Sequence, residues 1–391
     1  MLNYTWNCPV KILFGAGQLN NLAESIKGIG KTCFLVIGGG SVKHNGSLQK
    51  VTEQLKAANI EYILFEGIEP NPTSPTVERA KKELLAEKCD FVLSLGGGSV
   101  MDAGKLIAFA AKNKGNIWDY VRRDAKQKTS SEALPNVCVS TFSATGSETN
   151  KNAVLTNPDT GEKIALINEA LLPRLAVVDP LLTTSLSPEA TASGGIDIIC
   201  HAMEKYWSQQ SFNAPLQDRI SESIMKTVVD WLPIAMQDGT NIEARTNLAL
   251  ASSYAMMGLT QGQEGSFPLH MIEHPLSGIY NITHGFGLAS LLPELLLFNM
   301  EKDLRMVAKM ARAVFGFYSR DDTKSAINGI DCLVKWLDRN QILFKLSELG
   351  VNEDHLERAA KFAVQLFPEN TIPNIRPLTQ DDVLTIYNES M

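Results

Sequence analysis

The sequence predicts an α/β domain with a mostly parallel sheet, followed by an all-helical domain. Three observations carry this expectation. The chain has 391 residues, more than one ordinary core needs and a fitting length for two domains. In its first half, short apolar β-prone runs alternate with amphipathic stretches, the grammar of a parallel sheet covered by helices. From about Pro188 the alternation stops, and longer segments rich in Ala, Leu and Met take over. The change falls at Thr183–Pro188, a small-residue stretch with a helix-start signal, which divides the chain into domains 1–184 and 185–391.

The expected strands are Cys33–Ile37, Glu61–Phe65, Asp90–Leu95, Val137–Thr141 and Leu175–Asp179. Each is short, apolar and β-prone, and glycines or polar residues end several of them. Amphipathic stretches at 48–58 and 76–88 lie between the first of them. In the second half the pattern predicts helices over 215–236, 242–258 and 302–315.

Two strands run into Gly-Gly-Gly-Ser turns, Gly38–Ser41 and Gly96–Ser99. Glycines let a backbone turn tightly and approach a ligand closely, and a helix starting there aims free N–H groups at an anion. The second turn suits a pyrophosphate. Neither is a Walker motif or the usual G-x-G-x-x-G, but two such turns on different strand ends suggest a ligand crevice. A third polar turn, Thr141–Glu148, also follows a strand and offers hydroxyls and backbone N–H groups.

The chain holds six histidines, and four fall within residues 201–284. Asp197 and His201 are four apart and share one helical face, as do His270 and His274. The neighbours of Asp197 and His201 are apolar, so both groups need partners, and a cation satisfies both. With His284, the set is one carboxylate and up to four imidazoles. Such nitrogen and oxygen donors suit Fe(II) or Zn(II), with Co, Ni or Mn also compatible. Spacing does not choose among the imidazoles. His44 and His355 have no companions.

Bulk properties exclude other classes. Net charge is −7 with no long basic run, so the footprint of a nucleic-acid binder is missing. Cys8, Cys33, Cys89, Cys138, Cys200 and Cys332 form no C-x-x-C pair, which argues against a disulfide framework and a thiolate zinc site. No stretch of about 18 apolar residues could span a bilayer. The first residues lack the pattern of a signal peptide, so the cytoplasm is the expected location.

These motifs resemble one family through nearly the whole chain, the iron-containing (group III) alcohol dehydrogenases. The likeness is strongest to the branch of NADPH-linked butanol dehydrogenases and broad-range aldehyde reductases. It rests on Pro9–Gly15, Pro70-Asn71-Pro72, Gly96–Asp102, Thr145–Glu148, Val178-Asp179-Pro180, Asp197-x3-His201-Ala202-x-Glu204, His270-x3-His274-Pro275 and Leu378–Val383. The resemblance implies a Rossmann-like dinucleotide-binding domain and a helical metal-binding domain, an architecture shared with dehydroquinate synthase. It implies metal ligands at Asp197, His201, His270 and His284, and leaves His274 beside the substrate as a candidate proton relay. It also implies dinucleotide contacts from Gly97, Gly98 and Ser99, with Asp102 close by, from Thr141, Thr145, Asn150 and Lys163, and from Asn71 near the adenine.

Members that prefer NAD resemble one another in carrying an acidic residue after the first Gly-rich strand. Here the turn offers Gly39, Gly40, Ser41 and Lys43, with no carboxylate, so NADP(H) is expected over NAD(H). The implied activity is hydride transfer between NADP(H) and a small primary alcohol or aldehyde, in a homodimer holding one divalent metal, Fe(II) first and Zn(II) second. The rival readings are a polyol or glycerol-1-phosphate dehydrogenase or dehydroquinate synthase-like reaction on the same fold, and a non-catalytic metal-binding protein.

Overall fold

The computed structural model describes residues 6–123, 125–208, 214–260 and 267–391. Its first half forms the strands β1 (Lys11–Phe14), β2 (Thr32–Ile37), β3 (Glu61–Phe65), β4 (Phe91–Gly96), β5 (Asn136–Ser140), β6 (Asn152–Asn157), β7 (Glu162–Ile167) and β8 (Leu175–Val178). Six of them build a sheet in the order β1-β8-β5-β4-β2-β3, with every pairing parallel. This is the expected α/β class. The central strands β4 and β5 are buried along their whole length, as strands covered on both faces must be. On one face Leu35, Leu93, Val139 and Val177 pack with Val51 and Leu55 of helix α1 (Ser47–Ala57).

Helix α2 (Ser74–Ala86) follows β3, and helix α3 (Gly98–Lys112) follows β4. Helix α3 is buried from Val100 to Ala110 and lies against β4. Gly104 permits that approach, because a Cβ there would stand 1.9 Å from the Ser94 Oγ.

Strand order fixes where a ligand belongs. From β2 the chain moves outward to β3, then crosses back to place β4 on the other side of β2. The direction of winding therefore reverses between β2 and β4, and ligands of such sheets bind beyond the strand ends at that reversal. Both Gly-Gly-Gly-Ser turns stand there, one at the end of β2 and one at the end of β4.

The antiparallel hairpin β6–β7 was not among the expected strands. Its signal is the Pro158-Asp159-Thr160-Gly161 turn, in which Gly161 has φ +72° and its N–H donates to the Asn157 carbonyl at 2.8 Å. A Pro-Asp turn ending in glycine between two short apolar runs is a hairpin signature. Strand β1, only four residues long and on the sheet edge, is equally faint.

Among the described residues after β8, the helices of ten or more residues are α4 (Pro188–Ser208), α5 (Pro215–Gln237), α6 (Ile242–Met256), α7 (Pro268–Tyr280), α8 (His284–Lys302), α9 (Leu304–Phe315), α10 (Asp322–Arg339), α11 (Leu356–Gln365) and α12 (Gln380–Glu389). Gly195 lets α4 press on α5, since a Cβ there would come within 2.5 Å of the Leu232 Cδ2.

The described chain forms two compact units. One comprises Asn7–Leu186 with Gly239–Ser253, and the other Trp6, Ser187–Asp238 and Tyr254–Met391. The return of Gly239–Ser253 to the first unit has a physical reason. Buried Glu148 accepts a hydrogen bond from the Ser253 hydroxyl at 2.7 Å, and the Thr149 hydroxyl donates to the Ser253 carbonyl at 3.2 Å. All six cysteines are free.

Candidate active site

Helix α4 carries Asp197 and His201 one turn apart, α7 carries His270 and His274, and His284 opens α8. The Oδ1 of Asp197 is the point where three imidazoles meet. His270 Nε2 lies 3.2 Å from it, His201 Nδ1 3.4 Å and His284 Nε2 3.8 Å. The rings of His201 and His270 stack with centroids 4.5 Å apart. Asp197, His201 and His270 are buried, and His284 is partly open. His274 stands beside the set, its ring 5.6 Å from that of His284 and 6.0 Å from that of His270.

Two carboxylates support this cluster from behind. Glu204 accepts from His270 Nδ1, and Glu273 from His284 Nδ1. Both glutamates are fully buried. The sequence reading gave them no role. The signal was present, because Asp197, His201 and Glu204 follow the i, i+4, i+7 spacing of one helical face, and Glu273 lies three residues after His270.

Electrostatics follow from burial and crowding. Burial alone would raise the Asp197 carboxyl, but the neighbouring His201, His270 and His284 pull it below the ordinary carboxylate range. Burial, reinforced by His270 and His284, drives His201 down to about 3, so it stands neutral with a free lone pair. Burial also opposes charge on His270, yet Glu204 and Asp197 prevail and lift it to about 10.

The Nδ1 of His201 is buried without a hydrogen-bond partner. An orphaned buried nitrogen facing a carboxylate and two further imidazoles calls for a cation. Asp197, His201 and His270 have ligand atoms mutually within 4.8 Å, and so do Glu273, His274 and His284. Only the first group holds the partnerless His201 Nδ1, so that group, joined by His284, fits a metal better.

The glycine turns are built by close packing. A Cβ on Gly98 would stand 2.4 Å from the Thr145 Cγ2, and one on Gly96 2.6 Å from the Val100 Cγ2. Thr145 therefore seats directly on the Gly97–Ser99 turn, and Thr141, just past β5, donates its N–H to the Gly96 carbonyl at 3.0 Å. Gly40 has φ +112°, a conformation that favours glycine, and Gly39 and Ser41 are exposed. The Ser99 hydroxyl donates to the Pro70 carbonyl.

Several expected contact residues have work inside the scaffold. Asp102 accepts from the Ser147 hydroxyl at 2.5 Å and from the Val154 N–H at 2.8 Å. Asn150 donates to the Gly146 carbonyl at 3.1 Å and accepts from the buried Lys105 ammonium at 3.2 Å. Lys163 is buried in β7, and Asn71 is half-buried in the loop before α2. Lys43 is paired with Glu66 at 2.6 Å. The turn itself has no carboxylate, but its neighbour at the end of β3 supplies one.

Comparison with known proteins identifies the family. Residues 9–180 match the family model described as iron-containing alcohol dehydrogenase, and residues 191–391 match the family's C-terminal model. The chain is 36% identical over 393 residues to NADH-dependent butanol dehydrogenase A of Clostridium acetobutylicum, covering 100% of both proteins. It is 36% identical over 357 residues to the NADPH-dependent aldehyde reductase YqhD of Escherichia coli, covering 90% of each. The crystal structure of NADH-dependent butanol dehydrogenase A from Thermotoga maritima superposes with a TM-score of 0.94 at 32% identity, over 100% of this chain and 99% of that one. The chain belongs to the iron-containing alcohol dehydrogenase family.

Proposed function

We propose that this chain is a metal-dependent dehydrogenase that transfers hydride between a nicotinamide dinucleotide and a small primary alcohol or aldehyde. The observation that carries the reading is the convergence of three imidazole nitrogens within 3.8 Å of the Asp197 Oδ1. Asp197, His201, His270 and His284 would hold the ion, Fe(II) by family and Zn(II) as the alternative. A divalent cation there supplies Lewis acidity toward the substrate oxygen. His274, whose ring lies beside the cluster, would hold or pass the proton that oxygen gains or loses. The glycine turns at the winding reversal, with Thr141 and Thr145, would take the dinucleotide phosphates.

On cofactor choice, an observation favours NAD(H) over the NADP(H) preference read from the turn alone. Lys43 is already engaged by Glu66, so a 2′-phosphate at the end of β2 would compete with a carboxylate for its cation. The names of the relatives include both cofactors. We further propose a homodimer assembled through the exposed edge of β1. Among the described residues no helix is long and apolar enough to cross a membrane, and a cytoplasmic location is proposed.

The deciding experiment reloads apoprotein with Fe(II), Zn(II), Mn(II) or Ni(II) and assays butanal reduction with NADH and with NADPH. Metal-dependent turnover is expected. Turnover unchanged by complete metal removal would end the reading.

A further inference from the structure

Glu204 and Glu273 have the same task at first sight, each accepting from the Nδ1 of one imidazole. Their other contacts differ. Glu204 reaches from α4 to the start of α7, where its second oxygen accepts from the Leu269 N–H at 2.7 Å and the His270 N–H at 3.2 Å. Every partner of Glu204 named here is an N–H, and two of them are backbone groups that cannot reverse. It therefore caps the helix that carries His270 and orients the His270 ring at once. The second oxygen of Glu273 accepts from the Ser277 hydroxyl. A hydroxyl both donates and accepts, and the Ile282 carbonyl lies 3.5 Å from the Ser277 Oγ as an alternative acceptor. Gly287 leaves room for this arrangement, since a Cβ there would come within 2.8 Å of the Glu273 Oε1.

We propose that Glu204 and Glu273 are positioning residues that fix His270 and His284 as Nδ1–H tautomers, and that Glu204 alone requires a carboxylate to do so. The proposal rests on the metal reading above. A ring protonated at Nδ1 presents its Nε2 lone pair, and both Nε2 atoms face Asp197. In Glu204→Gln the amide has one acceptor oxygen for two sets of N–H donors. If that oxygen faces the backbone, the NH2 faces His270 Nδ1 and reverses its tautomer, which puts a proton where the metal should bind. If it faces Nδ1, the NH2 is set against two backbone donors. In Glu273→Gln the oxygen keeps His284, the NH2 donates to Ser277, and the Ser277 hydroxyl turns to Ile282.

The test measures Zn(II) affinity of apoprotein by competition with a chromophoric chelator, for wild type, E204Q, E273Q, S277A and E273Q/S277A. Affinity of E204Q is expected to fall about 10- to 100-fold, with a smaller loss for E273Q. S277A alone should be mild, whereas E273Q/S277A should lose more than the two single changes combined, because the amide NH2 then loses the Ser277 hydroxyl as its acceptor. In Zn(II)-loaded protein with 15N-labelled histidine, the His270 Nδ1–H signature should persist in E273Q and vanish in E204Q. E204Q binding as tightly as wild type, or more tightly than E273Q, overturns the proposal. If melting shows that E204Q does not fold, the E273Q and E273Q/S277A pair decides, since both keep the Glu204 cap, and additive losses there overturn it. Wild type that takes up no Zn(II) would instead remove the metal reading on which the proposal stands.

Discussion

The glycine turns of the first unit and the histidine cluster of the second are built from different parts of the polypeptide. The turns use backbone. Gly98 is glycine because Thr145 occupies the space of a side chain, and Gly40 because its φ is +112°. Expected side-chain contacts there, Asp102 and Asn150, spend their hydrogen bonds on the scaffold. The histidine cluster uses side chains from α4, α7 and α8, with buried glutamates standing behind His270 and His284. A backbone site is tuned by what is left out of it, whereas a side-chain site is tuned by what stands behind it.

The largest expected effect separates the two. His270→Ala should lose bound metal and aldehyde-dependent turnover together, by elemental analysis and assay, while dinucleotide binding followed by fluorescence persists. An active, metal-replete His270→Ala would break the comparison. Gly98→Ala should do the reverse. Its Cβ has no space beside Thr145, so dinucleotide affinity should weaken by about tenfold, equal to about 1.4 kcal/mol, with metal content unchanged. Tight dinucleotide binding in that variant would mean that the turn is only a turn.

Smaller effects sharpen the contrast. Glu66→Gln frees Lys43, and exposed ion pairs are worth about 0.2–1 kcal/mol. The NADPH-to-NADH ratio of kcat/KM should therefore rise by a factor of about 1.4 to five. A ratio that does not move would return the cofactor choice to the turn itself. The smallest effect concerns Asp90, a carboxylate held by the Lys31 and Thr32 amides at 2.6 and 3.0 Å. Those bonds lower its pKa when folded. Their stabilisation is therefore complete above the unfolded value of about 3.9 and is lost as pH falls through the folded one. Urea titrations should show Asp90→Asn slightly weaker than wild type at neutral pH, with the gap closing in acid.

Much of the fold was legible because it repeats local patterns. The five expected strands differ from β2, β3, β4, β5 and β8 by one residue at most at either end. What escaped depends on partners distant in the chain. Glu66 lies 23 residues beyond Lys43, and no periodicity announces their pairing. Ser253 is joined to Glu148 across 105 residues, which draws Gly239–Ser253 into the first unit. Spacing brought Asp197, His201, His270, His274 and His284 into view. The unassigned Glu204 and Glu273 were hidden by their chemistry, because a carboxylate on a helix usually faces water, and only burial marks it as part of a site.

The bonds from Glu204 to the first amides of α7 are made by groups of the chain alone. They tie the first turn of α7, and with it His270, to the helix that carries Asp197 and His201. One carboxylate thus sets both the place of a backbone and the aim of a side chain, so a change at position 204 reaches two helices at once.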